Sequence, residues 1–175
     1  MKRVCAFACA ALTGASLWAG GGYAVGLQTA FELGASGAVV PRLEYLRLTD
    51  SSSVAGPFNS TIDLSATVDC FSLGADYDYY LGPDIGQGFY LLGGLGVARA
   101  SIRVDASGAG DATRATSRQT VLYPEGGAGY MFTPHLGLEV LYKALPFKDV
   151  NVLVAGTPVG YSFSGSLEAS LVVRF

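Results

Sequence analysis

The ionisable side chains of this 175-residue chain recur at positions that alternate with apolar residues. Seven acids and three bases fall on the polar side of such alternations: Glu32, Arg42, Glu44, Asp76, Asp78, Glu125, Glu139, Lys143, Glu168 and Arg174. Gathered on one side of a sheet, these residues would form an acidic interior. Two interpretations stay open for that interior: a packed network of ion pairs and hydrogen bonds, or a narrow path for cations.

Five glycines share the faces of these ionisable residues. They are Gly74, Gly94, Gly96, Gly127 and Gly129. Because glycine has no side chain, it relieves crowding inside a narrow interior without opening a pore. The glycines therefore favour the packed network over the cation path.

Catalytic chemistry has little support in the sequence. The only histidine, His135, follows Pro134 in a Thr-Pro-His turn where any polar residue would serve. A nucleophile–base pair there would need a serine or cysteine within reach, and none lies near in the sequence. No catalytic residue is predicted.

Cofactor and metal motifs are also missing from the sequence. The glycine run at 93–96 does not complete a dinucleotide fingerprint, because Arg99 stands where the third glycine belongs. Of the three cysteines, Cys5 and Cys9 lie near the N-terminus, which leaves Cys70 alone. This spacing fits neither a disulfide framework nor a metal site, so no cofactor or metal is predicted.

The composition is apolar and rich in glycine. Hydrophobic residues make up 50% of the chain, charged residues only 14%, and glycine occurs 24 times. An ordinary soluble surface carries more charge than this. The net charge of −3 and the scattered lysines and arginines exclude a nucleic-acid partner. No linker-like stretch divides the chain, which indicates one domain.

Residues 1–19 have the features of an export signal. Two basic residues precede an uncharged, mostly apolar run of about fifteen residues, Val4 to Trp18. This run is shorter than the roughly twenty residues of a membrane-spanning helix. Cleavage after Ala19 is favoured and would leave residues 20–175 as the mature domain. The alternative positions are Ala15 and Ala24.

Seven segments alternate with period two and are predicted strands. They are 23–33, 38–49, 68–81, 89–105, 120–132, 138–147 and 163–175. Each has one apolar and one polar face, and no segment is left to cover the apolar faces. The apolar faces are therefore expected to meet lipid and the polar faces to line a barrel. The predicted fold is an all-β, antiparallel, up-and-down transmembrane barrel.

The connections between these strands alternate in length. Short turns are predicted at 34–37, 82–88 and 133–136, and long loops at 50–67, 106–119 and 148–162. Outer-membrane barrels have short periplasmic turns and long outer loops. Lipid-facing aromatics then form two belts, typical of membrane interfaces. The periplasmic belt would contain Phe31, Tyr79, Phe89, Tyr130, Phe132 and Phe175, and the outer belt Tyr23, Phe71, Tyr142 and Phe163.

The predicted strand 23–33 runs inward, so an outward strand should precede it. An open sheet would leave two unpaired edges in lipid, at several kcal/mol for each unsatisfied group. Three explanations stay open: the chain lacks an N-terminal piece, leader residues act as a strand, or another segment forms the eighth strand. Val150 to Ala155, apolar and β-branched, is a candidate for the last explanation.

Several phrases of the sequence resemble a known family. They are Pro41–Tyr45, Phe89–Val97, Gly127–Tyr130, Phe132–Glu139 and the terminal Val173-Arg174-Phe175. Over about residues 21–175 the chain resembles small outer-membrane β-barrel proteins of the OmpA/OmpX-like superfamily. The resemblance implies eight strands, a cleaved signal, residence in the outer-membrane bilayer and recognition of Phe175 by the outer-membrane insertion machinery.

Three functional hypotheses follow. The first is a non-enzymatic outer-membrane protein with a structural or surface-interaction role carried by its long outer loops, for a surface ligand that the sequence does not identify. The second is a narrow porin-like channel or small-solute transporter with an acidic lumen. The third, a lipid-modifying enzyme, has only His135 as a visible base.

Overall fold

The computed structural model describes residues 7–14, 21–55, 61–82, 85–108, 111–154 and 157–174. These residues form antiparallel strands joined by turns. The strands are β1 (Phe7–Gly14), β2 (Gly21–Leu33), β3 (Gly37–Ala55), β4 (Thr61–Tyr80), β5 (Gly88–Gly108), β6 (Asp111–Thr133), β7 (Leu136–Ala144), β8 (Val150–Val154), β9 (Thr157–Tyr161) and β10 (Gly165–Arg174). In this part of the chain, no helix has the length and hydrophobicity needed to cross a membrane.

Eight of the strands close into a barrel. Their order around it is β1-β10-β7-β6-β5-β4-β3-β2, and all neighbours are antiparallel. Strands β8 and β9 form a separate two-stranded hairpin between β7 and β10. The barrel therefore has the predicted up-and-down topology, with one hairpin added on the outer side.

The eighth strand is β1, which comes from the predicted leader. It pairs with β2 from Phe7↔Ala30 to Gly14↔Tyr23, and with β10 from Cys9↔Arg174 to Thr13↔Ser170. This is the second of the three explanations that the sequence left open. Cleavage after Ala19 would remove β1, so one chain cannot both lose this signal and use it to close the barrel. The signal itself stays a prediction.

The third explanation is wrong. Val150 to Val154 is strand β8, and it pairs with β9 rather than with the barrel. Its buried valines, Val150 and Val152, belong to an apolar core. Hydrophobicity and β-branching made this segment a strand, but its apolar side chains pack against other residues of the chain rather than against lipid.

The outer surface of the barrel is apolar. Leu95 and Leu122 are 71% and 76% exposed, and the large side chains around them, such as Leu73 and Val140, are also exposed. A surface with so many exposed apolar side chains belongs against hydrocarbon rather than water. The predicted lipid-facing surface is confirmed.

Strands β3 to β6 are much longer than a membrane requires. They contain 19, 20, 21 and 23 residues, whereas about nine to eleven tilted residues cross a bilayer. The long loops predicted at 50–67 and 106–119 are therefore wrong: β3 reaches Ala55, β4 begins at Thr61, and only residues 109–110 separate β5 from β6. The β-sheet formed by β3 to β6 therefore continues well beyond the outer surface of the membrane.

The two faces of β3, β4 and β5 exchange polarity beyond the lipid-facing band. On β4 the buried, inward side chains change from Asp76 and Ser72 to Val68 and Leu64, while the outward ones change from Leu73 to Asp69. Strand β5 does the same, with Ile102 and Val104 inside and Arg103 outside. We call this upper part the head: residues 46–55, 61–70, 98–108 and 111–121 together with β8 and β9.

The head has its own apolar core. Buried residues of β4 and β5, such as Ile62 and Ile102, pack in one cluster with Val150 and Val152 of β8, and β8 lies against β5 and β6. Phe163, predicted to face lipid, is partly buried in this core instead, with its ring stacked on Phe147 at a centroid distance of 6.0 Å. The core fills the interior of the head.

Candidate functional site: the barrel interior

The central charge of the barrel interior is Arg42 on β3. Its Nε donates a hydrogen bond to Oδ2 of Asp76 on β4 at 3.0 Å, and Nη2 lies 2.9 Å from the same oxygen. Its Nη1 donates to Oε1 of Glu139 on β7 at 2.7 Å. All three side chains are buried. Arg42 therefore links three strands across the barrel through charge-assisted hydrogen bonds.

A tyrosine completes the coordination of Glu139. The hydroxyl of Tyr90 donates to Oε2 of Glu139 at 2.9 Å. The Tyr90 ring packs on Tyr80 with a centroid distance of 5.2 Å, and both rings are buried in a cluster with Met131. Both tyrosines lie near the periplasmic ends of their strands, so an apolar layer closes the interior below the ion pairs.

Lys143 on β7 forms a second ionic centre, and only 1% of its surface is exposed. Its Nζ donates to Oε1 of Glu44 and, at 3.2 Å, to Oε2 of Glu168. The other oxygen of Glu168 accepts a hydrogen bond from Oγ of Ser166 at 2.8 Å. One buried ammonium group thus compensates two buried carboxylates from β3 and β10.

The predicted role of the glycines is confirmed. A Cβ atom on Gly94 would lie 2.1 Å from Oδ1 of Asp76 and 2.5 Å from the carbonyl oxygen of Ala75. A Cβ atom on Gly96 would lie 2.5 Å from the Tyr123 ring. Side chains and backbone of neighbouring strands occupy the space that larger residues would need. At these positions the interior is packed rather than open.

Six of the ten predicted interior residues form ion pairs with one another: Arg42, Glu44, Asp76, Glu139, Lys143 and Glu168. Asp78 and Glu125 are buried beside them. Glu32 differs from the prediction, because it is exposed at the periplasmic end of β2, where only Leu33 follows it in the strand. The backbone of Arg174 pairs with β1, but its side chain and the whole of Phe175 lie outside the described residues, so the assembly role of Phe175 stays a prediction.

Gln28, Tyr90 and Ser166 are buried polar side chains of the interior that are not among the predicted residues. Gln28 shares the inward face of β2 with Glu32, and Ser166 shares that of β10 with Glu168, so the alternation indicated both positions. Tyr90 had no such signal, because β5 carries none of the predicted ionisable residues. Neutral donors such as Tyr90 and Ser166 use carboxylate oxygens that the two cations leave free.

Glu125 is the weak point of the interior. Among the described residues, no cation pairs with its carboxylate and no N–H or hydroxyl group donates a hydrogen bond to it, and its strongest side-chain interaction is with a second carboxyl group, that of Asp76. An unpaired buried charge costs free energy that a neutral side chain of the same shape does not. We expect Glu125→Gln to increase the free energy of unfolding by about 1 kcal/mol or more.

The matched control is Glu168→Gln, which removes a carboxylate whose two oxygens are both bonded and should therefore destabilise the barrel. Urea unfolding in phospholipid vesicles, followed by the gel mobility of unboiled samples, measures both variants. A loss of stability in Glu125→Gln equal to that of the control would contradict this account of Glu125.

The single histidine, His135, is part of the turn between β6 and β7. Oγ1 of Thr133 accepts hydrogen bonds from the backbone N–H groups of His135, at 3.2 Å, and Leu136, at 3.1 Å. The His135 side chain lines a small periplasmic pocket of about 110 Å³ with Glu32 and Tyr80. Two backbone N–H groups that donate to the Thr133 hydroxyl thus shape the β6–β7 connection, as the predicted Thr-Pro-His turn requires.

Aromatic side chains in contact with one another mark the outer edge of the lipid-facing surface. Tyr45 lies between Tyr23 and Phe71, with centroid distances of 6.3 Å and 4.8 Å. The Tyr45 hydroxyl donates to Oδ1 of Asp69 at 2.7 Å, on the polar side of this edge. Amphipathic rings with their hydroxyl toward charge are typical of a membrane interface.

A closed barrel with an apolar exterior and an ion-paired interior defines an integral outer-membrane protein. Residues 8–163 match the family model described as the outer membrane protein beta-barrel domain, and the chain belongs to this family. The predicted resemblance and the outer-membrane location are confirmed. No curated protein sequence matches the chain at a significant level.

Solved structures with a similar fold are small outer-membrane proteins. The attachment invasion locus protein Ail of Yersinia pestis is 13% identical, with a TM-score of 0.54 and full coverage of both chains. Ail in complex with the heparin analogue sucrose octasulfate is 12% identical, covering 97% of each chain, with a TM-score of 0.52. Neisserial surface protein A is 18% identical, covering 97% of this chain and 94% of that one, with a TM-score of 0.48. At these identities the Ail structures show the fold alone.

Proposed function

We propose that this protein is a non-enzymatic surface protein of the outer membrane that interacts with its surroundings through the head. The observation that carries the proposal is the exchange of polarity in β3, β4 and β5. It gives the head a polar outer wall and an apolar core of residues such as Ile62 and Ile102. A part of the chain with its own core is a rigid platform for recognition, since its surface is ordered before any ligand binds.

The tip of the head carries the concave surface best suited to a ligand. A cavity of about 620 Å³ opens between the ends of β3, β4, β5 and β6. Serine hydroxyls such as Ser52 and the charged side chains of Asp63, Asp105 and Arg114 line it. Many hydroxyl groups with a few charges of both signs suit a polar ligand more than an apolar one.

The layered arrangement of apolar and charged side chains inside the barrel argues against the channel hypothesis. The ion pairs of Arg42 and Lys143 lie between two apolar layers: the cluster around Tyr80 and Tyr90 below, and the core of the head above. An ion that crossed would have to leave a charged layer and enter packed apolar side chains, which is costly. The acidic residues are therefore assigned to stability rather than to transport.

The test compares the native chain with a variant that lacks the upper head. Replacing residues 51–65 and 103–116 each by an Asn-Gly turn keeps the flanking pairs Asp50↔Ala66 and Ile102↔Ser117 in register. Cells that display the native chain should bind to immobilised extracellular glycans or proteins, and cells that display the shortened chain should lose this binding. Both chains should show the same shift in gel mobility on boiling, which verifies folding.

Two results would overturn the proposal. One is binding by the shortened chain as strong as by the native chain, because the head would then have no part in it. The other is discrete, stepwise conductance of the pure native protein in planar bilayers, since that would show the ion path that the apolar layers should prevent.

A further inference from the structure

The outward surface of the head is basic although the chain as a whole is acidic. Five of the eleven lysines and arginines lie there, in a protein with a net charge of −3: Arg47, Arg99, Arg103, Arg114 and Arg118. The acids on the same surface are Asp63, Asp69 and Asp105. Positive charge is thus concentrated on one side of the barrel wall, on β3, β5 and β6.

Among the residues that the structure describes, two of these arginines have carboxylate partners and three do not. Arg47 lies 3.6 Å from Asp69, and Arg114 pairs with Asp105. Within the described residues, no carboxylate lies within 4.0 Å of the side-chain nitrogens of the other three. We call these three the arginine patch: Arg99, Arg103 and Arg118.

The strand register brings the arginine patch together. Arg99 pairs with Thr120, Ser101 with Arg118, and Arg103 with Thr116. Arg118 is therefore the diagonal neighbour of both other arginines, at a distance of about 7–8 Å on the same face. All three side chains are exposed. Asp69 of β4, opposite Ser101, lies at the same diagonal distance from Arg99 and Arg103, but it already pairs with Arg47 and accepts a hydrogen bond from Tyr45. On the side of β6 the three arginines face only like charge among the described residues, so an anion between them there would be bound favourably.

The arginine patch begins where the lipid-facing surface ends. Phe71, at the outer aromatic edge, is the cross-strand partner of Arg99. Arg99 follows the exposed Val97 by two residues, and Arg118 precedes the exposed Leu122 by four. At about 3.3 Å per residue and a tilt near 40°, the patch lies roughly 5–15 Å above the hydrocarbon. This is the height of the outer-leaflet headgroups.

We propose that the arginine patch binds the phosphate groups of the outer-leaflet glycolipid, lipopolysaccharide. Guanidinium groups bind phosphate through paired charge-assisted hydrogen bonds. The acyl chains of the same lipid would lie against Phe71, Val97 and Leu122 directly below. A soluble polyanion fits the position less well, because the patch faces sideways from the wall at the membrane surface, below the cavity at the tip.

The experiment titrates phosphorylated lipid A, carrying a fluorescent label, into the folded protein in zwitterionic micelles. Arg99→Gln with Arg118→Gln should weaken binding by a factor of about ten or more, because two charge-assisted hydrogen-bond donors are lost. The matched control is Arg47→Gln with Arg114→Gln. It removes the same charge from the same surface but from paired side chains, and it should weaken binding less than about threefold. Dephosphorylated lipid A should bind the native chain as weakly as phosphorylated lipid A binds the first variant.

Three results would overturn the proposal. Equal losses in the two double variants would show only a general effect of charge. Equal affinity of the native chain for phosphorylated and dephosphorylated lipid A would exclude the phosphates. Heparin binding that depends on Arg99 and Arg118, without any effect of these residues on lipid A binding, would assign the patch to a soluble polyanion. All variants must keep the mobility shift on boiling.

Discussion

Removal of residues 1–19 should prevent the barrel from closing. In the full chain, β1 forms eight residue pairs with β2 and five with β10. Without it, these two strands would expose unpaired backbone N–H and C=O groups to lipid, at several kcal/mol for each group. We expect residues 1–175, refolded in detergent, to run faster unboiled than boiled, and residues 20–175 to give a single unshifted band.

The matched control is a chain that begins at residue 7, because it loses the basic start but keeps β1 intact. It should shift on boiling like the full chain. A full shift of residues 20–175 would contradict the prediction: seven strands would then close without β1, and cleavage after Ala19 would be compatible with the barrel. The mass of the protein purified from outer membranes shows which form the cell uses.

The strand that the sequence analysis left open is the one without a regular alternation. Alternate residues of Val4 to Trp18 do not separate into an apolar and a polar set, so the apolar run and the two basic residues before it indicated an export signal rather than a strand. Seven other strands were found because each has one polar face. β1 closes the barrel through backbone pairing with β2 and β10. Every residue has the same backbone groups, so this pairing cannot be predicted from the pattern of side chains along the sequence.

The head was missed because its faces are reversed. In the segments predicted as loops, 50–67 and 106–119, the buried apolar residues among those that the structure describes are Ile62, Leu64, Ala66 and Ala106, and they lie inward where the membrane part has polar ones. Serine, threonine and aspartate on the outward face made these segments resemble loops. Phe163 was wrongly predicted to face lipid because only its place in the alternation was considered. In the structure it packs against Phe147 and the β8–β9 hairpin.

The members of the interior network could be predicted, but their pairing could not. Alternation places Arg42 and Glu139 on inward faces, yet 97 residues separate them, and Lys143 and Glu44 are 99 apart. Which of them meet depends on the stagger between strands when the barrel closes. This stagger is a property of the closed sheet rather than of any one strand. Glu32 shows that alternation alone does not predict burial either. It lies on the inward face of β2, but so near the end of the strand that its side chain is exposed to solvent.

The second large effect is expected at Lys143. Lys143→Met keeps most of the side-chain volume but leaves Glu44 and Glu168 buried without their cation. Removing one partner of a buried ion pair costs about 3–5 kcal/mol, so the free energy of unfolding in phospholipid vesicles should fall by that amount. The control, Arg114→Met, breaks an exposed ion pair and should change it by no more than about 1 kcal/mol.

Compensating substitutions separate the lost charge from the lost packing. If the cost comes from the two uncompensated carboxylates, then Lys143→Met combined with Glu44→Gln and Glu168→Gln should recover much of the stability, because no buried charge is left unpaired. Recovery would also show that the network is one of several stable interiors for this barrel. A triple variant less stable than Lys143→Met alone would mean that the glutamates have other partners and that Lys143 does not hold them in place.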